Sequence, residues 1–401
     1  MNKLNPVISI IFITLFFLQA SVNSAQTFYY GSRVSSNPRL QMAGIAQNIP
    51  NLIENKSISF SFEHAQFSED RSRDFYNNYG DYSGKNIYAS DNFSKTNLNS
   101  ISLRYENFVF CFNREYEIDY EFTENIYDAS QNKIKENQRK SDGYINSLEF
   151  YYLLNLTKNN SLRIFTGLNY SYFKNEICVS ENFISPAFND YSLTAEFSAK
   201  SPGYNISLDY SPSKKYRFIA FYKSKLKFKG DYSIADNSGA ANNITDKTIK
   251  YPQELSLISL LTLPSEHFTK LYADITFANW KKLDDNEGFS LPAAKPSLKN
   301  TIRTSIGLQY SFTQKIKCGT SVFYEPSYFD TRYREIGVTL GSVFTLTDKL
   351  DLTAILNYNI ILFKEDYPFT LQASGARLGR ADQDYSENTS IKLNLGISYK
   401  L

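Results

Sequence analysis

The chain has 401 residues, of which 42% are hydrophobic, 16% aromatic and 21% charged, with 43 basic and 41 acidic side chains. This aromatic content excludes an intrinsically disordered protein, which lacks the apolar side chains that a folded core requires. A mean hydropathy of -0.39 and the lack of an apolar run of about 18 residues or more exclude a helical membrane protein. The nearly balanced charge gives no electrostatic basis for a nucleic-acid partner.

Residues 1–24 have the pattern of a cleaved signal peptide. Lys3 supplies positive charge, residues 7–20 are apolar but too few to span a bilayer, and Val22 and Ser24 are small residues spaced for signal peptidase. We therefore expect cleavage after Ser24 and export of the mature chain. The three cysteines are widely spaced and odd in number, which favours neither a disulfide framework nor a metal site.

Alternation with a period of two residues is the strongest signal in the chain, and it is clearest between Phe108 and Phe122. The even positions there are mostly aromatic, whereas the odd positions are acidic from Glu115 onward. Successive side chains of a strand point to opposite faces, so this segment predicts a lipid-facing side and an acidic inward side. Soluble sheets usually have strands of about five or six residues, so this longer run favours a tilted strand that crosses an outer membrane.

Fourteen runs of this kind occur, and an even number is typical of closed bacterial outer-membrane barrels. They lie at residues 57–68, 98–105, 108–123, 144–157, 161–173, 191–211, 216–232, 253–263, 268–280, 301–311, 315–325, 336–346, 350–362 and 389–401. In the run 191–211 the apolar positions change from odd to even near Pro202 and Gly203. We interpret this change as a bulge or kink in one strand. Two short strands, which would give fifteen in all, are the alternative.

The connections between the runs are alternately short and long. The short ones lie at residues 106–107, 158–160, 212–215, 264–267, 312–314 and 347–349. Short turns on one side and longer loops on the other are typical of an outer-membrane barrel. A secreted β-sandwich or a soluble β-solenoid is the alternative, but strands this long and this aromatic favour the barrel.

The end of the chain resembles the signal that the outer-membrane assembly machinery reads, and we therefore expect that machinery as a partner. The residues of this signal are Asn394, Gly396, Tyr399 and Leu401, with leucine in place of the usual terminal phenylalanine.

Residues 203–230 and 251–280 resemble the core of the FadL-type outer-membrane transporters. The matching features include a Gly-Tyr-Asn strand start at 203–205, a Ser-Pro turn at 211–212 and the Ala273-Asp274 pair. The resemblance implies a fourteen-stranded barrel that carries long-chain fatty acids or aromatic hydrocarbons.

The same resemblance implies an N-terminal plug inside the barrel. Residues 25–56 occupy the plug position, although Asn37-Pro38 is followed here by Arg39-Leu40 and not by the Ala-Gly frequent in the family. We thus expect a signal peptide at 1–24, a plug at 25–56 and a barrel at 57–401.

Two strands carry the candidate ligand contacts. In the run 216–232, alternation predicts that one set of residues faces lipid: Phe218, Ala220, Tyr222, Leu226 and Phe228. The inward set is Arg217, Ile219, Phe221, Lys223, Lys225, Lys227 and Lys229, opposite the acidic row of the 108–123 run. Lys223 and Lys225, together with Phe221, are predicted to hold the carboxylate of an amphipathic ligand. The alternative is a water-filled, charged lumen in which Lys227 and Lys229 lie above the membrane beside lipopolysaccharide phosphates.

The other candidate site lies on one face of the run 268–280. It consists of Asp274 and Trp280.

Together these patterns predict an all-β protein of the bacterial outer membrane, a transmembrane antiparallel β-barrel of 14 strands with a plug in its lumen. We expect it to pass hydrophobic small molecules inward by diffusion, in contact with outer-membrane lipid and lipopolysaccharide and without a cofactor or metal. The sequence has no nucleophile elbow and no paired histidine ligands, so an enzyme is not expected. The alternative function is a general porin or a structural barrel of a secretion or adhesion complex.

Overall fold

The computed structural model describes residues 32–33, 56–76, 81–127, 130, 132–159, 161–236, 241–263, 270–279, 299–313, 315–326, 334–365 and 384–401. None of these residues belongs to a helix with the length and apolarity that crossing a membrane requires.

Fourteen antiparallel strands form a closed barrel, as the sequence predicted. They are β1 (Ser57–Tyr76), β2 (Tyr82–Tyr105), β3 (Phe108–Tyr127), β4 (Lys133–Asn155), β5 (Leu162–Phe183), β6 (Tyr191–Tyr210), β7 (Tyr216–Lys223 and Leu226–Asp236), β8 (Ala241–Tyr251 and Glu254–Thr262), β9 (Lys270–Ala278), β10 (Thr301–Ser311), β11 (Ile316–Pro326), β12 (Arg334–Thr347), β13 (Leu350–Glu365) and β14 (Asp384–Lys400). Each strand pairs with the next, and β14 pairs with β1 from Lys400 and Ser57 to Asp384 and Arg73. This last pairing closes the ring and leaves neither terminal strand as a free edge.

The last strand shows why the chain forms a transmembrane barrel. Its outward side chains are exposed and apolar at every second position, and they are Ile391, Leu393, Leu395, Ile397, Tyr399 and Leu401. The alternate residues Lys392, Asn394 and Ser398 are buried inside the barrel. At about 3.3 Å per residue and a tilt of about 40°, this apolar stretch rises about 25 Å, which is the height of the lipid-facing band of such barrels.

The bulge predicted near Pro202 is wrong, although the single strand is confirmed. Pairing of β6 with β5 runs from Tyr210 and Leu162 to Tyr191 and Glu181 without a register shift. Odd-numbered residues of β6 face the interior along most of its length, with Ala195, Phe197 and Ala199 towards the loop end and Asn205, Ser207 and Asp209 towards the turn end. The apolar residues change face because the interior itself becomes apolar towards the loops.

Side-chain facing does reverse in β7, at a place that the sequence did not reveal. Lys223 and Ser224 are both buried, and the next buried residues are Leu226 and Phe228. The predicted inward direction of Lys225, Lys227 and Lys229 is therefore wrong, as is the lipid-facing direction of Leu226 and Phe228. The neighbouring strand β8 is interrupted at the same level, where Tyr251 faces Leu226 and Glu254 faces Lys223.

A second reversal occurs in β3. The register with β4 shifts between Arg114 and Tyr116, which leaves Glu115 as an extra, bulged residue. Below the bulge Val109 and Cys111 face inward, and above it Glu124 does. Glu121 lies on the outer surface and forms an ion pair of 2.9 Å with Lys140. The predicted inward direction is therefore wrong for Glu121.

Candidate functional site

The barrel interior is the candidate site, and it contains three of the five predicted ligand contacts. Phe221, Lys223 and Asp274 are buried there, with exposures of 6%, 5% and 1%. Lys225 lies on the outer surface because of the reversal in β7. Trp280 lies outside the described residues.

Lys223 is held by an acid from the opposite side of the interior. Its ammonium contacts the carboxylate of Glu115, the bulged residue of β3, and both side chains are largely buried. Regular alternation from Val109 and Cys111 already places Glu115 inward, and the bulge reverses the facing of later residues such as Glu124. Of the two opposite charge rows expected from the sequence, Glu115 and Lys223 form an ion pair inside the barrel.

A polar network lies beside this pair and joins three strands. Glu149 on β4 accepts hydrogen bonds from Asn113, at 2.9 Å, and from the hydroxyl of Tyr151, at 2.9 Å. Asn205 on β6 donates to the same hydroxyl at 2.8 Å and to Glu149 at 3.3 Å. An apolar cluster packs around it, made of Val109, Cys111, Tyr151, Leu153, Phe165 and Phe221. These residues line the turn-side part of the interior between β3 and β7.

The loop-side part of the interior between β5 and β8 is mainly apolar, although the buried Asn175 lies between Phe173 and Ile177 on the inward face of β5. Phe173 lies with its ring centroid 5.5 Å from that of Phe197 and 5.4 Å from that of Phe228. Further buried apolar residues surround these rings: Ile177, Val179, Ala195, Ala199, Leu226, Tyr232 and Ile249. Burial raises the pKa of Tyr232, as an apolar environment would. We call this set the apolar lining.

Asp274 belongs to a separate polar group on β8 to β10. Thr276 donates to Asp274 at 3.4 Å and shares a hydrogen bond of 2.8 Å with Ser256, while the hydroxyls of Ser305 and Tyr272 are 3.3 Å apart. This arrangement can hold water or a hydroxyl group, because both donors and acceptors line it.

The hydrogen-bonded wall is interrupted between β2 and β3. Their pairing covers only Ser100 to Tyr105 and the facing residues Asn113 to Phe108. Beyond these residues β2 pairs with β1, and β3 pairs with β4. We call this place the β2–β3 interruption.

Two connections lie across or beside the β2–β3 interruption. Lys95 on β2 forms an ion pair of 2.9 Å with Asp142 on β4. The two-residue strand Ser32–Arg33 pairs with Glu117 and Tyr116 on the edge of β3. Part of the N-terminal region therefore lies at this edge.

The predicted assembly-signal residues lie on both faces of β14. Tyr399 and Leu401 are exposed on the outer surface, whereas Asn394 is buried and donates to Glu63 at 3.0 Å. Gly396 lies on the inward side with Asn394, between the outward residues Leu395 and Ile397, and pairs with Thr353 of β13.

Sequence reasoning missed the apolar lining, and it placed Glu115 on an inward row opposite Lys223 without pairing these two residues. In the run 191–211 the apolar residues change from odd to even positions. This change was the available signal for the lining, since it marks where the barrel interior changes from apolar to polar. The alternation of the run 108–123 gave the inward direction of Glu115, but it gave no sign of the bulge at that residue, because the alternation looks regular.

Comparisons with known proteins give structural but not sequence matches. No protein-family model matches the chain, and no curated protein does. A FadL homologue from Pseudomonas aeruginosa superposes with a TM-score of 0.58 at 14% identity, covering 94% of this chain and 99% of that one. The toluene transporter TodX of P. putida gives a TM-score of 0.57 at 11% identity, with 94% and 96% covered. The Ralstonia pickettii toluene transporter TbuX gives 0.51 at 11% identity, with 86% and 90% covered.

Proposed function

We propose, from its FadL-type transmembrane barrel fold, that this chain carries small hydrophobic molecules through a bacterial outer membrane by diffusion. The structural neighbours described as toluene transporters support this substrate class. A channel needs no catalytic group, and the sequence contains neither a nucleophile elbow nor paired histidine ligands.

The apolar lining is the observation that carries the proposal. Porin interiors are polar and filled with water, whereas Phe173, Phe197 and Phe228 place aromatic rings inside this barrel. An uncharged hydrophobic molecule gains free energy when it leaves water for such a surface, by about 25 cal/mol for each Å² of apolar area buried. A sugar or an ion gains no such free energy.

The interior charges favour an uncharged ligand over a fatty acid. Lys223 contacts Glu115, Lys392 lies 3.8 Å from Glu63, and Arg303 lies 2.8 Å from Glu325. A ligand carboxylate at Lys223 would have to displace Glu115. We therefore propose aromatic hydrocarbons as the preferred substrates, with fatty acids as the weaker class.

The N-terminal segment is proposed to control access at the β2–β3 interruption. Its described residues Ser32 and Arg33 already pair with the edge of β3. Residues 25–56 would then act as the plug expected from the sequence, and their removal would leave the interruption uncovered.

The test is radiolabelled toluene and oleate binding to the detergent-purified barrel, together with sucrose swelling of proteoliposomes. Phe228→Ala is expected to weaken toluene binding by about tenfold, because a buried ring is lost. Phe218→Ala is the matched control, since it removes an exposed phenylalanine from the lipid face of the same strand.

Equal toluene affinity of the two variants would overturn the role of the apolar lining. Rapid sucrose swelling by the full-length mature chain would favour the general porin. Neither binding nor swelling would favour a structural barrel.

A further inference from the structure

Five lysines lie together on the outer surface of the barrel. They are Lys200 on β6, Lys225, Lys227 and Lys229 on β7, and Lys250 on β8. Lys200, Lys227 and Lys229 are exposed, and the other two are half-buried. We call this set the lysine patch.

The strand register places these like charges directly opposite each other. Lys200 faces Lys229, and Lys227 faces Lys250. Facing side chains have Cβ atoms about 5 Å apart, and like charges in such pairs destabilise a sheet. An anion between the strands would remove this repulsion.

Tyrosines lie beside the lysine patch and on its turn side. The rings of Tyr204 and Tyr222 lie 5.8 Å apart on β6 and β7, and those of Tyr144 and Tyr172 lie 6.1 Å apart on β4 and β5. Tyr172 directly faces Lys200. Aromatic girdles of this kind mark the boundary between the apolar band and the headgroups.

The apolar band continues below these tyrosines on the same strands. Ile206, Leu208 and Phe218 are exposed there and point outward. Because short turns lie on the periplasmic side of such barrels, the lysine patch lies at the headgroup level of the outer leaflet. The acidic side chains Glu196 and Asp231 lie farther from the membrane on the same outer face.

We propose that the lysine patch binds the phosphates of lipid A, the phosphorylated glycolipid anchor of lipopolysaccharide. Its two phosphates fit the facing lysine pairs, its sugars lie at the level of the tyrosines, and its acyl chains pack along the apolar band. A free phosphate would use the charge but leave the adjoining apolar surface unused. The adjacency of lysines, tyrosines and exposed aliphatic side chains favours an amphiphile with an anionic headgroup.

The test measures binding of lipid A to the full-length mature barrel in neutral detergent. The Lys200→Gln/Lys227→Gln/Lys229→Gln/Lys250→Gln variant is compared with Lys158→Gln/Lys214→Gln/Lys215→Gln/Lys315→Gln. The control variant removes the same number of lysines, all of them exposed, from the turn end of the barrel. Probes are bisphosphorylated lipid A, monophosphoryl lipid A, phosphatidylglycerol and inorganic phosphate, measured by native mass spectrometry.

The patch variant is expected to bind bisphosphorylated lipid A at least about tenfold more weakly than the parent, while the control variant keeps the parent affinity. Loss of one phosphate from the probe should weaken binding to the parent and matter less for the patch variant. Equal affinity of the two variants, or equal affinity of the parent for phosphatidylglycerol and lipid A, would overturn the proposal. If the quadruple variant does not fold, Lys227→Gln/Lys250→Gln is measured, and its unchanged affinity would likewise overturn the proposal.

Discussion

Replacement of Glu115 by glutamine is expected to release the Lys223 ammonium inside the barrel. The side chains of Lys223 and Glu115 are only 7% and 13% exposed, so solvent screens the pair weakly. Removing one member of such a buried pair leaves an uncompensated charge, which typically costs about 3–5 kcal/mol. Glu115→Gln and Lys223→Met should therefore each lower the free energy of unfolding by about this amount.

The double variant Glu115→Gln/Lys223→Met loses both charges and should be close to the parent in stability. The two single losses sum to about 6–10 kcal/mol, so a double variant close to the parent gives a coupling energy of that size, well above the value for an exposed pair. The measurement is urea unfolding of each refolded barrel in detergent, followed by circular dichroism.

The released ammonium in Glu115→Gln should bind a carboxylate ligand. A hydrogen bond to a charged group contributes about 1.5–3 kcal/mol, so oleate should bind about tenfold to a hundredfold more tightly than to the parent. Toluene affinity should be unchanged, and the double variant should lose the gain for oleate. Additive stability effects of the two single variants, or unchanged oleate binding by Glu115→Gln, would refute the assignment of Glu115 as the partner that holds Lys223.

Three further predictions follow from particular side chains. Tyr151→Phe should lower stability by about 1–3 kcal/mol because the buried acid network loses a hydroxyl donor; an unchanged urea midpoint would contradict this. Gly337→Ala should cost about 1–3 kcal/mol in detergent-refolded protein, because its added Cβ would overlap a neighbouring aromatic ring, whereas Gly396→Ala meets nothing closer than 3.5 Å and should be nearly neutral. The hydrogen bond with Glu121 raises the pKa of Lys140, so this pair stabilises the fold at neutral pH and loses that contribution as the pH rises through the folded pKa. Glu121→Gln should lower that pKa in an NMR titration of the lysine side chains, and an unchanged titration would count against the pair.

The alternation of apolar and polar residues in the last strand predicted from the sequence alone which side chains face outward and which face inward. Ile391 to Leu401 read as apolar at odd positions, and those residues are exposed on the outer surface while Lys392 and Asn394 are buried. The same reasoning gave the number of strands, because each strand must place one face against hydrocarbon and one against the interior.

Beyond the membrane band, the direction of the side chains, inward or outward, depended on the tertiary structure. A single extra residue reverses every later side chain of a strand, and neither Glu115 nor the pair Ser224 and Lys225 differs in type from residues of a regular strand. Cross-strand register decided both cases, since it depends on neighbouring strands that are distant in sequence.

The sequence by itself determined a membrane barrel of fourteen strands, because contact with lipid imposes a pattern that is local and repeats every two residues. Only the tertiary structure decided which charges meet inside it. The pairing of Glu115 with Lys223 joins residues 108 positions apart, and the outward direction of Lys225 follows from a break in β7. Both depend on how the strands fit around a closed ring, which no single strand encodes.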